Sequence, residues 1–534
     1  MRKYVYLIII FSAALALRLY PTLLTGLPFS TDAWSPIRNT ELIMEHTPVD
    51  LGNDSIFDGY NNYWPANSLF GAVFSHATGL RPVDAMAIGI PLAGALTVII
   101  FYALMVRIGR NYELAFFASI IMATVYPFAL LTAGVTKETY AAPLYLLSIL
   151  LFLSQGKWRE TLLFAIASVA LVITHHLTAL VIMAVLASIA LATALSRVRG
   201  GLSLDKSSLL LVSILATVTA LYFGLYAYRG LKLTLTVSDW LSASSYQVVA
   251  FALALYFTSK HQMHSRARTV LTCCIAAVLA STFAFFSTKR PIMPGAPTLP
   301  NHYLLYAMPF ILASPLMVLG LGEMRGMKGE RHTAPLFWLS TILGLEGYAV
   351  FGDSPLGLTL AYRALNFLCP PLAVASAFGL YGLCLTTKKP RTRKLTKLTA
   401  TATLLLIAAL SSYNVYAAVS LQERYMGYFW LYRIPEYKAA EWLSATANQT
   451  IAGDVKSSYL LKDYFGLNVD AFQALQYLAG RGSKPKILLI YDQMLKNGYV
   501  LYGGYSVDMP ENWTEKVRYL NLIYLNGPVS VYGG

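Results

Sequence analysis

Along most of this chain, apolar residues run on in long stretches and polar residues appear only as short punctuation between them. Runs suited to crossing a hydrocarbon core of roughly 30 Å, about 20 residues each, fall at 4–24, 86–106, 112–132, 139–155, 161–174, 177–195, 209–227, 244–259, 269–288, 303–322, 334–352, 364–386 and 399–420. The pattern predicts thirteen spans. The stretch 161–195 reads in two ways: two short helices meeting at Thr174-His175-His176, or one long helix followed by a re-entrant piece.

Two segments break the apolar pattern and are long enough to fold in water: a loop of about 25–85, and a tail from Leu421 to Gly534. In the tail, Arg433-Ile-Pro-Glu-Tyr opens a helix with Pro435 in its first turn. Thr450-Ile-Ala-Gly-Asp-Val and Lys486-Ile-Leu-Leu-Ile-Tyr-Asp read as buried strands. Asp470 to Gly482 reads as a helix closed by glycine, and Asn521 to Gly533 as a hairpin turning at Asn526-Gly527. The expected fold is membrane all-α: about thirteen transmembrane helices (N-terminus in, C-terminus out), interfacial helices in a large first outer loop, and a small α/β extracytoplasmic domain. The expected boundaries are 1–420 and 421–534. No internal repeat or low-complexity tract is visible.

Composition supports the membrane reading, with 56% hydrophobic and 13% charged residues and a mean hydropathy of +0.54. A net charge of +15 invites a nucleic-acid reading, but its placement excludes one. With Met1 inside, 21 Lys and Arg fall in inner loops and eight in outer loops, which is the imbalance that orients membrane proteins. Of the 26 acidic residues, seven lie in the first outer loop and ten in the tail, so the outer face carries the carboxylates. The first span is longer than a usual signal h-region and is not followed by a small-x-small site, so it is expected to stay. Cys273, Cys274, Cys369 and Cys384 all fall in predicted spans and support neither a disulfide framework nor a metal site outside the membrane. Three N-x-S/T acceptors, Asn53, Asn448 and Asn512, fall on the outer side.

Without a Walker loop, GxGxxG, HExxH or GxSxG motif, the candidate chemistry rests on charged and imidazole groups at the outer rim. Phe29 to His46 places Asp32 and Trp34 just after the first span. A helix then begins near Ser35-Pro36 and puts Arg38, Glu41 and Glu45 on one face. Asp32 is either an interfacial cap or a carboxylate whose low-dielectric setting suits it to act as a base. Lys137 and Glu138, the charges of the next outer turn, are either a solvated pair or groups that meet an anion and help position an acceptor. His175 and His176 stand where two helices would meet. Adjacent histidines rarely ligate one ion together, so hydrogen bonding to a ligand is the favoured role. Arg363 either snorkels at the mouth of a late span or meets an anion. Lys289 and Arg290 open a Pro/Gly-rich outer loop of a kind that often moves over substrates.

Asp32 in D-x-W, the helix ending RNTELIMEH, YNNYWPA, the multispan body, the late Arg363 and EYKAAEWL at the start of the tail together resemble the GT-C superfamily of membrane glycosyltransferases. The resemblance is particularly to archaeal members related to the oligosaccharyltransferase catalytic subunit and to dolichyl-phosphate-mannose-dependent transferases. The resemblance implies that Asp32 binds or deprotonates the acceptor, in some members through a divalent metal such as Mg or Mn. It further implies that Glu138 holds the place of a second acidic motif and that Arg363 touches the donor phosphate; on their chemistry Lys137, His175 and His176 would join Arg363 in stabilising the charge growing on that phosphate. Trp34, Arg38, Glu41, Lys289 and Arg290 would belong to the acceptor and loop surface. The implied donor is a polyprenyl-phosphate sugar, and the acceptor a lipid, glycan or protein. Two departures weigh against transfer to sequons: the tail offers FWLYR and EWL in place of a WWD motif, and TKE lacks a second acid. The remaining alternatives are transfer of a whole glycan to protein and a flippase for lipid-linked sugars. The flippase would call for mid-membrane charge and internal repeats, whereas Glu346 is the one acid well inside a predicted span.

Overall fold

The computed structural model describes residues 2–46, 48, 60–154, 156–230, 236–259, 266–289, 298–326, 330–352, 355–385 and 390–534. Arg290 and Asn53 lie outside them. Ten of the thirteen apolar runs form helices long and apolar enough to cross a membrane, so among the described residues the count is ten. The other three runs form shorter pieces. The run 112–132 breaks at Val125, whose backbone is non-helical (φ −54°, ψ 121°), into Tyr112–Thr124 and Tyr126–Leu131, and Pro127 sits in the first turn of the second piece, where its missing N–H costs nothing. Lys137–Leu153 and Trp158–Thr174 have 17 residues each, about 26 Å at 1.5 Å per residue.

The chain divides into two compact units. One gathers Met1–Leu17, Ala93–Thr132 and Tyr140–Asn414; the other gathers Arg18–Leu92, Ala133–Thr139 and Val415–Gly534. The first outer loop and the turn before Tyr140 thus group with the tail.

The first unit is the helical bundle. Helices Leu304–Gly326 and Pro355–Leu385 cross at two glycines. A Cβ on Gly320 would meet the Ala375 carbonyl oxygen at 1.7 Å, and one on Gly379 that of Leu316 at 2.0 Å. Small residues let the backbones touch, the usual basis of helix association where lipid offers no hydrophobic drive. Trp338 Nε1 donates to the Tyr145 hydroxyl at 2.6 Å inside this bundle. Helix Arg266–Lys289 exposes Val270, Leu271, Val278, Leu279, Phe283 and Phe286, a surface suited to acyl chains rather than water. The ambiguous stretch resolves into two helices, Trp158–Thr174 and His176–Arg199, parted by the extended backbone of His175 (φ −154°, ψ 117°).

In the second unit the tail forms the expected α/β fold. Strands β1 (Ile451–Ala452), β2 (Val469–Asp470), β3 (Ile487–Tyr491), β6 (Asn521–Leu525) and β7 (Val529–Gly533) make one sheet in the order β2-β1-β3-β7-β6. The first three strands of that order run parallel, and β7 is antiparallel to both its neighbours. The β6–β7 hairpin turns through Gly527 at φ 86°, a conformation open to glycine without strain. A second hairpin, β4 (Tyr499–Tyr502) and β5 (Tyr505–Val507), turns at Gly503-Gly504. Helix Ile434–Thr446 carries Pro435 in its first turn, and Ala471–Leu478 is followed by Gly480 at φ 74°. Asn448 and Asn512 are exposed.

A charged network sits in the core of this tail. Lys456 is buried, with Nζ 3.1 Å from Glu436 Oε2 and 4.9, 5.2 and 4.8 Å from the rings of Tyr428, Tyr432 and Tyr491. Asp454 caps helix Val455–Asp463 by accepting from the Ser457 N–H at 2.8 Å, and it accepts from the Tyr491 hydroxyl at 2.6 Å. Burial raises Glu436 and Asp454 above the usual carboxylate range and holds the three tyrosines well above theirs.

Candidate active site

The turn bearing Asp32 is pinned from two directions. Ser30 takes φ 97°, rare for a residue with a side chain. Its N–H donates to the Trp430 carbonyl at 3.0 Å, and its hydroxyl accepts from the Asp32 N–H at 3.2 Å. Strained backbone of this kind persists where its surroundings over-determine it, and it concentrates at functional sites. The turn leaves Asp32 exposed between buried Thr31 and Ala33.

One residue earlier, the Phe29 carbonyl accepts from the Val135 N–H at 2.9 Å. That bond joins the Asp32 turn to the segment leading into Lys137 and Glu138, the first two residues of helix Lys137–Leu153. The Thr136 hydroxyl accepts from the Thr139 N–H at 3.0 Å and satisfies one of the open donors of that helix. Glu138 is half-buried in the first turn, where the helix dipole favours an anion. Lys137 is only 8% exposed, so the pair is not a solvated turn. Its ammonium lies 4.2 Å from the centre of the Tyr60 ring and 5.8 Å from that of Trp64.

A third segment closes the arrangement. Asn61 Nδ2 donates to the Ser35 hydroxyl at 2.5 Å, so Tyr60–Trp64 contacts both the helix that follows Asp32 and Lys137. Asp32, Lys137 and Glu138, separated by about a hundred residues in sequence, are thus held on mutually bonded segments of one unit.

Trp34, Arg38 and Glu41 lie on helix Trp34–Glu45 and turn toward the tail. Trp34 is fully buried, with its ring 5.1 Å from Tyr432, 5.9 Å from Tyr437 and 5.5 Å from Tyr464. Arg38 Nη1 donates to the Tyr464 carbonyl at 3.4 Å, and the Tyr464 hydroxyl donates to Glu41 Oε1 at 2.8 Å. Burial raises the Glu41 carboxyl above its ordinary range, while the Tyr464 bond acts the other way. These three residues fasten the helix beside Asp32 to the tail.

The remaining candidates belong to the bundle unit. His175 is buried at the break between two helices, with Nδ1 2.7 Å from the Thr178 hydroxyl, and its ring meets that of His176 edge to face at 5.1 Å. Arg363 is half-buried on helix Pro355–Leu385, donates from Nε to the Tyr362 hydroxyl at 2.9 Å and lies over the Tyr362 ring at 5.5 Å. Lys289 ends helix Arg266–Lys289 and donates to Asn301 Oδ1 at 2.6 Å. Among the described residues no three His, Cys, Asp or Glu side chains gather closely enough to hold a metal ion.

Two features of the site escaped sequence reasoning: the left-handed Ser30 and the seating of Lys137 on Tyr60 and Trp64. A signal for the second was present in YNNYWPA, whose three aromatics ahead of a proline suit a packed turn.

No protein-family profile matches the chain, and no curated protein does. Solved structures do. The oligosaccharyltransferase of Archaeoglobus fulgidus superposes in its apo form with a TM-score of 0.59 at 13% identity, over 92% of this chain and 70% of that one. Its complex with Zn and sulfate gives 0.58 at 14%, over 99% and 73%. The arabinofuranosyltransferase AftD from Mycobacteria gives 0.50 at 13%, over 98% of this chain, which spans 39% of that protein. At such identities the likeness speaks for the fold alone, the fold this chain shares with an oligosaccharyltransferase and an arabinofuranosyltransferase.

Proposed function

We propose that this chain is an integral membrane glycosyltransferase that moves a sugar from a polyprenyl-phosphate-linked donor to a lipid, glycan or protein acceptor at the extracytoplasmic face. The observation that carries the reading is the Phe29–Val135 backbone bond, which on a GT-C fold ties the exposed Asp32 to the turn of Lys137 and Glu138. A lipid-phosphate donor also suits a chain without a nucleotide-binding motif, since nucleotide sugars are not supplied outside the membrane.

In this reaction the acceptor hydroxyl oxygen bonds to the anomeric carbon, the bond from that carbon to the phosphate oxygen breaks, and the hydroxyl proton passes to the Asp32 carboxylate. General-base help of this kind contributes on the order of 10² to 10⁴-fold. Charge grows on the departing polyprenyl phosphate. Lys137 and Arg363 are assigned to it on their chemistry, with His175 and His176 as further donors, and one such preorganised donor is worth roughly 2.7 to 4 kcal/mol. Glu138 helps orient the acceptor. Asp32 and Glu138 do not by themselves make a metal cage. A divalent ion such as Mg or Mn, where the reaction uses one, would be held by these carboxylates and would offset the charge growing on the leaving phosphate.

A second reading is transfer of a whole glycan to protein. It is favoured by the match to an oligosaccharyltransferase over 70% of that protein's length. One assay decides between them: purified protein is incubated with radiolabelled dolichyl-phosphate hexoses, then with lipid-linked oligosaccharide, and label is followed into lipid and protein. Label from a phosphate-linked monosaccharide supports the first reading, and label from the oligosaccharide alone replaces it with the second. Label from neither donor overturns both.

A further inference from the structure

Lys137 opens a helix, yet its ammonium is turned away from water and rests on two aromatic faces. The contact with Tyr60 is the close one at 4.2 Å, and Trp64 lies near the outer limit of about 6 Å for such attraction. The two rings stand 5.2 Å apart at a tilt of 42° and form a seat with two unlike walls. Trp64 is fully buried, whereas Tyr60 remains 43% exposed. The segment that carries both rings is anchored through Asn61 to Ser35, three residues beyond Asp32. A lysine has four rotatable carbons and loses its aim easily. Here a ring belonging to the first outer loop lies against the ammonium.

The geometry points to Tyr60 as a positioning residue that holds the Lys137 ammonium in place for the donor phosphate. This rests on the reading above, in which Lys137 meets that phosphate. Tyr60 acts through its ring face. The electrostatic attraction between ring and ammonium fixes the lysine and removes its hydration in advance, so less is lost when an anion arrives. Phenylalanine therefore serves at this position, leucine does not, and withdrawing electrons from the ring weakens the effect in steps.

The test uses the full chain in detergent with farnesyl phosphate, a short isoprenoid phosphate, as the binding probe. Tyr60→Phe should leave its Kd within about twofold, and Tyr60→Leu should raise it about tenfold. Phenylalanines with one, two and three ring fluorines at position 60 should weaken binding progressively while the thermal midpoint stays level. That series carries the test if Tyr60→Leu fails to fold. Lys137→Ala should weaken binding at least as much as Tyr60→Leu, and the double variant no further. If Lys137→Ala weakens binding but the leucine variant or the fluorine series leaves it unchanged, the inference fails and the role of Lys137 stands. If Lys137→Ala binds normally, the assignment of Lys137 itself fails and takes this inference with it. Additive losses in the double variant would show Tyr60 acting by another route and overturn the proposal.

Discussion

Lys137 and Lys456 lie in the same unit, both are buried, and both rest on aromatic rings, but their settings differ. Lys456 is enclosed by three tyrosines and paired with Glu436 at 3.1 Å, with the side chains 2% and 11% exposed. Its charge is answered inside the tail, and the network closes on itself. Lys137 instead rests against a wall that is partly open to solvent, one residue from a half-buried carboxylate and on a segment bonded to the exposed Asp32 turn. On the proposed reading similar chemistry serves two ends: Lys456 with Glu436 organises the tail, and Lys137, seated on a partly exposed ring, is directed at a ligand.

If that contrast holds, changes at the two places separate cleanly. Asp32→Asn should cut sugar transfer by about 10² to 10⁴-fold with an unchanged thermal midpoint. Normal turnover would remove the base from the mechanism. Lys456→Met should act the other way and destabilise the tail by about 3 to 5 kcal/mol, because Glu436 is left buried without its cation. Limited proteolysis and thermal unfolding would register this, and a fully stable variant would show that the network is dispensable. In the bundle unit, Arg363→Ala should reduce use of a synthetic lipid-phosphate sugar by about 10² to 10³-fold, and Lys289→Ala far less. Equal losses would speak against a specific phosphate contact by Arg363. Tyr464→Phe should cost about 1 to 2 kcal/mol of stability through the lost bond to half-buried Glu41.

The smallest effect is a dependence on pH. Glu436 and Asp454 are raised by burial, so the folded tail binds more protons than the unfolded chain between the ordinary carboxylate range and the elevated folded values. Stability should therefore fall as pH rises through that window and level off above it. Thermal midpoints taken from about pH 4 to 8 would show the slope. Glu436→Gln and Asp454→Asn should flatten it, and a slope that survives both changes would place its origin elsewhere.

Legibility followed the range of the interactions. The tail was readable in detail because its signals are local: Pro435 at a helix start, glycine after Ala471–Leu478, Asn526-Gly527 at the hairpin. The short elements around it, β2, helix Val455–Asp463 and the β4–β5 hairpin, carry too few residues for a periodic pattern and were not foreseen. Among the site residues, Asp32 and Lys137 stood out as charges beside apolar runs. The burial of Trp34 and the fastening of Arg38 and Glu41 to Tyr464 depend on partners some four hundred residues away.

By itself the sequence determined that this chain is a multi-pass membrane protein and that residues 421–534 hold an α/β fold. Long apolar runs and local turn signals depend on composition and period alone. Only the tertiary structure decided that three apolar runs are too short or broken to count with the other ten, that the first outer loop groups with the tail, and that Lys137 is seated on Tyr60. The last two outcomes come from contacts between residues far apart in the chain, and such contacts form only once the fold has closed the loops between them.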